Sequence, residues 1–123
     1  MQARGLAWLA AAVLLPACGG APEQSFQIQG TVTSIGYLRP VRDAQVLIKW
    51  PRAMGGGEVT LRTDRNGRYA VSRKVRVDQL DCTGLTLTVR AAGFASAYSS
   101  RDTTGAVCGD SVLTIDFRLF PIQ

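Results

Sequence analysis

Side chains able to do chemistry are few in this chain of 123 residues, and histidine is missing altogether. Histidine is the commonest general base and a usual ligand of zinc, so its absence excludes the Ser-His and Cys-His nucleophile arrangements. The nine acids are Glu23, Asp43, Glu58, Asp64, Asp78, Asp81, Asp102, Asp110 and Asp116. A glycosidase needs two carboxylates facing each other across a cleft, and nothing in this spacing favours such a pair. The sequence therefore predicts no catalytic residues, no metal ligands, no cofactor and no enzymatic activity.

The segment Asp64-Arg65-Asn66-Gly67 is similar to the first part of a calcium-binding loop, in which carboxylate and amide oxygens would hold the ion. A complete EF-hand loop needs a glutamate at its twelfth position, and that position is Val75. The same residues suit a tight turn, because Asp bonds its own backbone and Asn-Gly tolerates positive φ. We therefore predict a structural turn between two strands.

The N-terminus has the pattern of an export signal, with one positive charge in residues 1–4 and none in residues 5–15. This stretch is too short to cross a bilayer as a helix, which takes roughly 20 residues, but it suits the core of a signal peptide. Leu15, Ala17 and Cys18 then match a lipobox, so the segment resembles that of bacterial lipoproteins. The resemblance implies cleavage before Cys18 and acylation of its thiol, for example with palmitate. An ordinary secretory leader beside a chance cysteine is the alternative.

An acylated Cys18 would attach the protein to a membrane, because several acyl chains on one residue hold stably. The predicted organisation is a signal peptide over residues 1–17, a lipidated cysteine with a flexible tether over residues 18–25, and one domain over residues 26–123. Gly19 follows the cysteine, so the aspartate that retains some inner-membrane lipoproteins is missing. We expect a cell-envelope location, with the outer membrane favoured if the organism has one.

Two further cysteines, Cys82 and Cys108, lie in the predicted domain. An even pair in an exported protein is typical of a disulfide bond. A metal or redox pair is the alternative, but the chain offers neither a C-x-x-C spacing nor a histidine beside them. Closing a loop of about 26 residues would stabilise the fold by about 3 kcal/mol.

These residues must be positioned by strands, because beyond residue 25 the sequence alternates between apolar and polar positions. A composition of 46% hydrophobic and 19% charged residues also excludes a disordered tail. Seven alternating segments are separated by turn residues, which is typical of an antiparallel sandwich. They are 26–32, 44–50, 59–63, 69–71, 85–91, 94–100 and 113–119.

Four of these stretches, taken in order, resemble the carboxypeptidase regulatory-like domain. They are the opening strand 28–32 (IQGTV), the approach to the second strand 40–46 (PVRDAQV), the hairpin 63–69 (TDRNGRY) and the strand and turn 87–94 (LTVRAAGF). The resemblance covers about residues 26–119. It implies a seven-stranded antiparallel Greek-key β-sandwich of the transthyretin-like (prealbumin-like) kind. The family is mostly an accessory module in larger secreted proteins and carries no catalytic residues to transfer.

The predicted hairpin and its second strand are rich in basic residues, with Asp64 as the only acid between them. The basic residues are Arg62, Arg65, Arg68, Arg73, Lys74 and Arg76. One interpretation is a solvated surface that protects a sheet edge. The other is a patch that attracts anionic lipid, lipopolysaccharide or an acidic partner. Nucleic acid is not an expected partner, because the chain has an export signal and few aromatic residues among the basic ones.

Function is least determined by the sequence, and two hypotheses stay open. The first is a non-enzymatic, lipid-anchored binding or structural module of the cell envelope, whose partners would be an envelope protein, anionic lipid or glycan. The alternative is a carbohydrate-binding (starch-binding-like) sandwich, in which Trp50, Tyr37 and Tyr98 would stack on sugars. Trp50 falls on the same face of the predicted strand as Val46 and Ile48, however, and this favours packing in the core.

Overall fold

The computed structural model describes residues 22–101, 108 and 111–122, whose regular structure is β-strand apart from two short 3-10 helices. Eight strands form two four-stranded sheets. The strands are β1 (Glu23–Ser34), β2 (Gln45–Lys49), β3 (Glu58–Arg62), β4 (Arg68–Arg76), β5 (Leu85–Arg90), β6 (Ala97–Arg101), β7 (Val112–Thr114) and β8 (Phe117–Leu119). The 3-10 helices are Arg52–Met54 and Val77–Gln79. The predicted all-β fold with two sheets is therefore confirmed.

The first sheet is built around β1, the longest of the described strands. On one side β1 pairs with β4 in antiparallel fashion over nine residue pairs. On its other side it pairs with β7 and then with β8, and both of these run parallel to it. The second sheet has the order β3–β2–β5–β6 and is antiparallel throughout. The turn at residues 63–67 carries the chain from β3 to β4, and so from one sheet to the other.

The parallel direction of the C-terminal strands differs from the predicted purely antiparallel sandwich. The reason is where the preceding strand ends. Arg101, the last residue of β6, pairs with Leu85, and Thr86 in turn pairs with Lys49 at the end of β2. This is the end of the molecule at which β1 begins, because Trp50 packs against Phe26. A chain that crosses to the first sheet here must run alongside β1 in the same direction.

The strand predicted at residues 113–119 is split into β7 and β8, which accounts for eight strands where the sequence predicts seven. The register is the same on both sides of the split. Gln27 faces Val112, and five residues further along both strands Val32 faces Phe117. The split is therefore a local break in hydrogen bonding and adds no residue to the strand.

One core fills the space between the sheets, and it is built by the alternation seen in the sequence. Phe26, Ile28 and Val32 of β1 are fully buried, because every second residue of a strand points to the same face. Burying a side chain of this size stabilises a fold by about 1.5–3 kcal/mol. The opposite sheet contributes Val46, Ile48, Leu85, Leu87 and Val89.

Strand β1 starts earlier than predicted. Residues 23–25, assigned to the tether, belong to the sheet, because Glu23 pairs with Arg76 and Ser25 with Lys74. The carbonyl of Pro22 also accepts a hydrogen bond of 3.0 Å from the Val77 N–H. Only residues 19–22 therefore separate Cys18 from β1.

The sandwich has two ends, which we name after the ends of β1. The Glu23 end holds Pro22, the end of β4 and the helix Val77–Gln79. The Ser34 end gathers the loops at 35–43, 63–67 and 91–96 with residues 120–122. Backbone bonds join these segments, since Val32 N–H donates to Gly67, Ile35 N–H to Leu119 and Ala95 N–H to Phe120.

A disulfide joins Cys82 to Cys108, which is the pairing expected from the sequence. Both cysteines are buried, at 0% and 3% exposed. The bond ties the segment before β5 to the connection between β6 and β7, of which the structure describes Cys108 and Ser111. Near the Glu23 end it therefore joins two connections that cross between the sheets.

Reduction of this disulfide is expected to lower the free energy of unfolding by about 3 kcal/mol, because it frees a loop of 26 residues in the unfolded chain. Urea unfolding followed by circular dichroism, with and without reductant, measures the change. The double variant Cys82→Ala/Cys108→Ala is the control, since reductant should not alter its transition. An unfolding midpoint that reductant leaves unchanged in the native protein would contradict the expectation.

Candidate functional site

The centre of the first sheet contains a break in the parallel ladder between β1 and the C-terminal strands. Ile115 N–H donates to the Gln29 carbonyl at 2.9 Å, and an unbroken ladder would next bring Thr31 N–H to the Ile115 carbonyl. That carbonyl instead accepts a hydrogen bond from the Tyr69 hydroxyl. Thr31 N–H donates to Oδ1 of Asp116 at 2.9 Å. A carboxylate thus replaces a main-chain acceptor, and both groups of the missing ladder bond keep a partner.

Gly30 makes this arrangement possible because it leaves space on the inner side of β1. A Cβ atom on Gly30 would lie 1.8 Å from the Ile115 carbonyl oxygen and 2.7 Å from the Tyr69 hydroxyl. Both atoms are held by the hydrogen bond that joins them. Glycine is therefore required here because the Ile115 carbonyl and the Tyr69 hydroxyl approach the backbone of β1 too closely to leave room for a side chain.

A shallow depression of about 550 Å³ lies over the break. Its polar wall is formed by Gln29, Thr31, Asp64, Arg68, Thr114 and Asp116. The sequence does not indicate this grouping, because the residues come from β1, the 63–67 turn, β4, β7 and the break after β7. The depression brings the carboxylates of Asp64 and Asp116 to one surface.

Asp64 shapes the predicted turn. Its Oδ1 accepts hydrogen bonds from Arg68 N–H at 2.9 Å and from Asn66 N–H at 2.8 Å. These bonds hold the pKa of the Asp64 carboxyl below its usual range, and the bond from Arg68 N–H has the largest effect. Gly67 completes the turn with a φ of 73°, in the left-handed region that favours glycine. The structure therefore uses this motif as a turn.

Both carboxylates of the depression accept hydrogen bonds from main-chain N–H groups. A glycosidase needs one carboxyl group that stays protonated near neutral pH, which requires a raised pKa. The lowered pKa of Asp64 keeps that group ionised. Asp116 accepts hydrogen bonds from both the N–H and the hydroxyl of Thr31, so it holds β1 against the C-terminal segment. The arrangement is better suited to fixing the backbone than to proton transfer.

Polar side chains continue from the depression across the outer face of the first sheet. Gln27 donates to Gln29 at 2.7 Å, and Gln29 donates to Thr114 at 3.3 Å. Ser72 of β4 donates to Gln27 at 3.5 Å. Amide and hydroxyl groups therefore form one row across three strands, without an aromatic ring among them.

The predicted basic patch is not one surface. Arg62, Arg65 and Arg68 lie toward the Ser34 end, whereas Lys74 and Arg76 lie at the Glu23 end. The length of β4 separates the two groups, because eight residues of a strand span about 26 Å. Proximity in the sequence therefore did not become proximity on the surface.

Arg73 departs further from the prediction, because the strand period turns it inward. Its guanidinium carbon lies 4.5 Å from the centroid of the Trp50 ring. Its Nη1 donates to the carbonyls of Met54 at 3.0 Å and Gly56 at 2.8 Å. Arg73 therefore holds the 51–57 connector against the core and is only partly exposed.

The three aromatic residues considered for sugar stacking play different roles. Trp50 is 4% exposed and packs edge to face on Phe26, at 6.3 Å between centroids, so its ring is closed to a ligand. Tyr37 is exposed in the loop after β1, with the Arg39 guanidinium 5.6 Å from its ring centroid. Tyr98 is exposed on β6 in the other sheet. The core position predicted for Trp50 is thus the one observed.

The predicted lipidation site Cys18 lies outside the described residues. Within residues 22–101, 108 and 111–122, no helix is long and apolar enough to span a membrane. The same part of the chain contains no cluster of three or more side chains suited to a metal ion.

Comparison with known proteins supports the fold alone. No protein-family model matches the chain, and no curated protein does so either. The structure is similar to chlorocatechol 1,2-dioxygenase from Pseudomonas putida, with a TM-score of 0.55 and 17% identity over 80% of this chain and 61% of that one. A 9R-lipoxygenase from Cyanothece PCC8801 aligns over 93% of this chain and 20% of its own, at 14% identity and a TM-score of 0.43. The chain thus spans less than two thirds of either enzyme.

Sequence reasoning missed a second concentration of basic residues, at the Ser34 end. Arg39, Arg42, Arg90 and Arg118 lie there beside members of the predicted patch. Arg39 and Arg42 lie in the loop after β1, Arg90 ends β5, and Arg118 is the middle residue of β8. A search for runs of charge along the sequence does not group these four arginines, because they come from three segments that are far apart in the chain. Knowing which turns lie at the same end of the sandwich would have grouped them.

Replacement of Gly30 by alanine is expected to destabilise the fold by about 3 kcal/mol, because the new Cβ collides with a backbone carbonyl that cannot move freely. Urea unfolding measures the loss. Gly36→Ala is the matched control, since its Cβ would meet nothing within 4 Å and only its positive φ of 101° is strained. Equal losses in both variants would contradict the role given to Gly30.

Tyr69→Phe is expected to change how stability depends on pH. Burial, and secondarily the charge of Asp116, raise the pKa of the Tyr69 hydroxyl above its ordinary value. The unfolded chain therefore loses this proton first, near pH 10, and the free energy of unfolding falls as the pH rises further. The variant lacks this part of the fall and loses about 1–2 kcal/mol at neutral pH.

Urea unfolding between about pH 8 and 11 distinguishes the two curves. Tyr98→Phe, which removes a hydroxyl from an exposed ring, is the control for the substitution itself. If Tyr69→Phe kept the full alkaline loss of stability, the hydroxyl would not be the buried donor described above.

Proposed function

We propose that this protein is a non-enzymatic, lipid-anchored binding module of the cell envelope. The observation that carries the proposal is the start of β1 at Glu23, which only four residues separate from the cysteine of the lipobox-like segment. Four residues reach at most about 14 Å. An acylated Cys18 would therefore hold the Glu23 end of the domain close to the bilayer and direct the Ser34 end away from it.

The proposed fold within the all-β class is a transthyretin-like Greek-key sandwich of the kind found in carboxypeptidase regulatory-like domains. The 63–67 turn supports this, since its Asp and Gly occupy the positions that the resemblance requires and connect the two sheets. The departures from the simplest seven-stranded antiparallel form are the split of the C-terminal strand and its parallel direction beside β1. An export route to an oxidising compartment is supported by the disulfide, because such bonds persist outside the cytosol.

A binding role is favoured over catalysis by the state of the polar groups. The chain has no histidine, and the carboxylates brought together by the break accept backbone hydrogen bonds. The surfaces left to meet other molecules are the amide and hydroxyl row of the first sheet and the basic Ser34 end. The row is what favours the second candidate function, carbohydrate binding, because amides and hydroxyls match the donors and acceptors of sugars.

The test of the anchor is the intact mass of the protein extracted from membranes. We expect the loss of residues 1–17, added acyl mass on Cys18, and no thiol open to alkylation until the protein is reduced. Cys18→Ser should abolish the acyl mass and release the protein from the membrane fraction. A full-length, unacylated chain with free thiols would overturn the proposed anchor and compartment together.

The carbohydrate alternative is tested on the same preparation. Neutral oligosaccharides are titrated into the protein, and isothermal titration calorimetry measures their binding. Saturable binding that Gln29→Ala abolishes would establish the outer face of the first sheet as a carbohydrate-binding surface. The carbohydrate-binding function would then replace the first proposal.

A further inference from the structure

The surplus of positive charge is concentrated at the Ser34 end, and all of it there is arginine. Seven exposed arginines lie at this end, against the three acids Asp43, Asp64 and Asp116. The arginines are Arg39, Arg42, Arg62, Arg65, Arg68, Arg90 and Arg118. This surplus of four equals that of the whole predicted mature chain, which has thirteen basic and nine acidic residues.

Two neighbouring depressions at the Ser34 end share one wall. One has a volume of about 480 Å³ and is flanked by Arg62 and Arg90. The other has a volume of about 380 Å³ and is flanked by Arg39 and Arg42. The shared wall consists of Asp43, Ala91, Ala92 and Phe94. We refer to both depressions together as the arginine cleft.

The guanidinium groups of the cleft are mostly free to bind an external anion. Asp43 is the only carboxylate lining it, and its Oδ2 lies 3.9 Å from Nε of Arg42. Arg62 donates to the Asp43 carbonyl at 3.2 Å. Within the part of the chain that the structure describes, Arg39 and Arg90 have neither an ion pair nor a side-chain hydrogen bond.

Apart from Asp43, the wall that the two depressions share is apolar. Phe94 is half-buried in the shared wall, and Pro40 and Val41 extend it on the side of Arg39. Tyr37, 75% exposed, carries the Arg39 guanidinium on its ring. Arginine and aromatic residues around an apolar floor are the composition that protein interfaces favour.

We propose that the arginine cleft binds an acidic segment of a partner protein, in which carboxylates alternate with apolar side chains. The planar guanidinium group matches a carboxylate in a two-point hydrogen bond, which the ammonium of lysine does not. Apolar side chains between the carboxylates would contact Phe94 and the two alanines of the shared wall. Charge complementarity and the apolar floor together select this occupant.

The choice of a protein over a lipid surface rests on the proposed anchor at Cys18. The twelve residues of β1 separate the two ends of the domain by about 36 Å. The electrostatic potential of a membrane decays over about 8 Å at physiological salt. The headgroups of the anchoring leaflet therefore lie beyond the range of the arginine cleft, whereas another envelope protein can reach it.

The test uses the full-length protein extracted in detergent and a fluorescein-labelled peptide in which aspartate alternates with leucine. Fluorescence anisotropy should show saturable binding that weakens as salt is raised. The same peptide with asparagine in place of aspartate should not bind. Arg39→Gln/Arg90→Gln should weaken binding by about tenfold, because each lost guanidinium leaves a carboxylate unpaired.

The matched control is Arg52→Gln/Lys74→Gln, which removes the same charge from exposed positions at the Glu23 end. We expect it to change the dissociation constant by less than about twofold, since its charges lie far from the cleft. Neither pair of substitutions removes a side-chain hydrogen bond within the described residues, so the urea midpoint of each should match that of the parent protein.

Several results would overturn the proposal. They are equal weakening by both pairs of substitutions, equal binding of the asparagine peptide, absence of peptide binding, and tighter competition by alginate or phosphatidylglycerol vesicles than by unlabelled peptide. Failure of the anchor is distinguishable from failure of the cleft. An unacylated Cys18 in the mass measurement removes the anchor, whereas peptide binding that depends on Arg39 and Arg90 would still establish the cleft.

Discussion

The hydrogen bond from the Tyr69 hydroxyl to the Ile115 carbonyl joins strands that are not neighbours. It reaches from β4, past β1, to the segment between β7 and β8, and it passes through the space that Gly30 leaves open. The bond takes the carbonyl away from its place in the parallel ladder, and Asp116 supplies the replacement acceptor for Thr31. Three strands are thereby fixed relative to one another at one point, which keeps a single register on both sides of the break.

This constraint also decides where chemistry is available on the surface. The depression over the break owes its shape to the displaced backbone, and its two carboxylates are engaged in holding that backbone. These two carboxylates therefore have a structural role in the sheet and in the turn. The arginines of the Ser34 end support no strand pairing in the same way, so their charges remain available for recognition.

Short-range patterns in the sequence were sufficient to predict the burial of Phe26 and Ile28 and the turn shaped by Asp64 and Gly67. They were insufficient wherever distant segments meet. The direction of the C-terminal strand depends on the end at which β6 finishes, and the role of Gly30 depends on a carbonyl 85 residues further along. Arg73 was grouped with its neighbours by charge, although the two-residue period of β4 turns it toward Trp50. Local composition cannot show which face of a strand a charged residue will occupy.

The position of β1 has a mechanical consequence. It is at once the first strand of the described domain and the central strand of its sheet, bonded to β4 on one side and to β7 and β8 on the other. A pull applied through residues preceding Glu23 acts along the strand axis, so the hydrogen bonds on both flanks share the load and must be sheared together. An edge strand pulled across its axis would instead open one bond at a time. The order of the strands therefore gives the domain resistance to a force applied at Glu23 along β1.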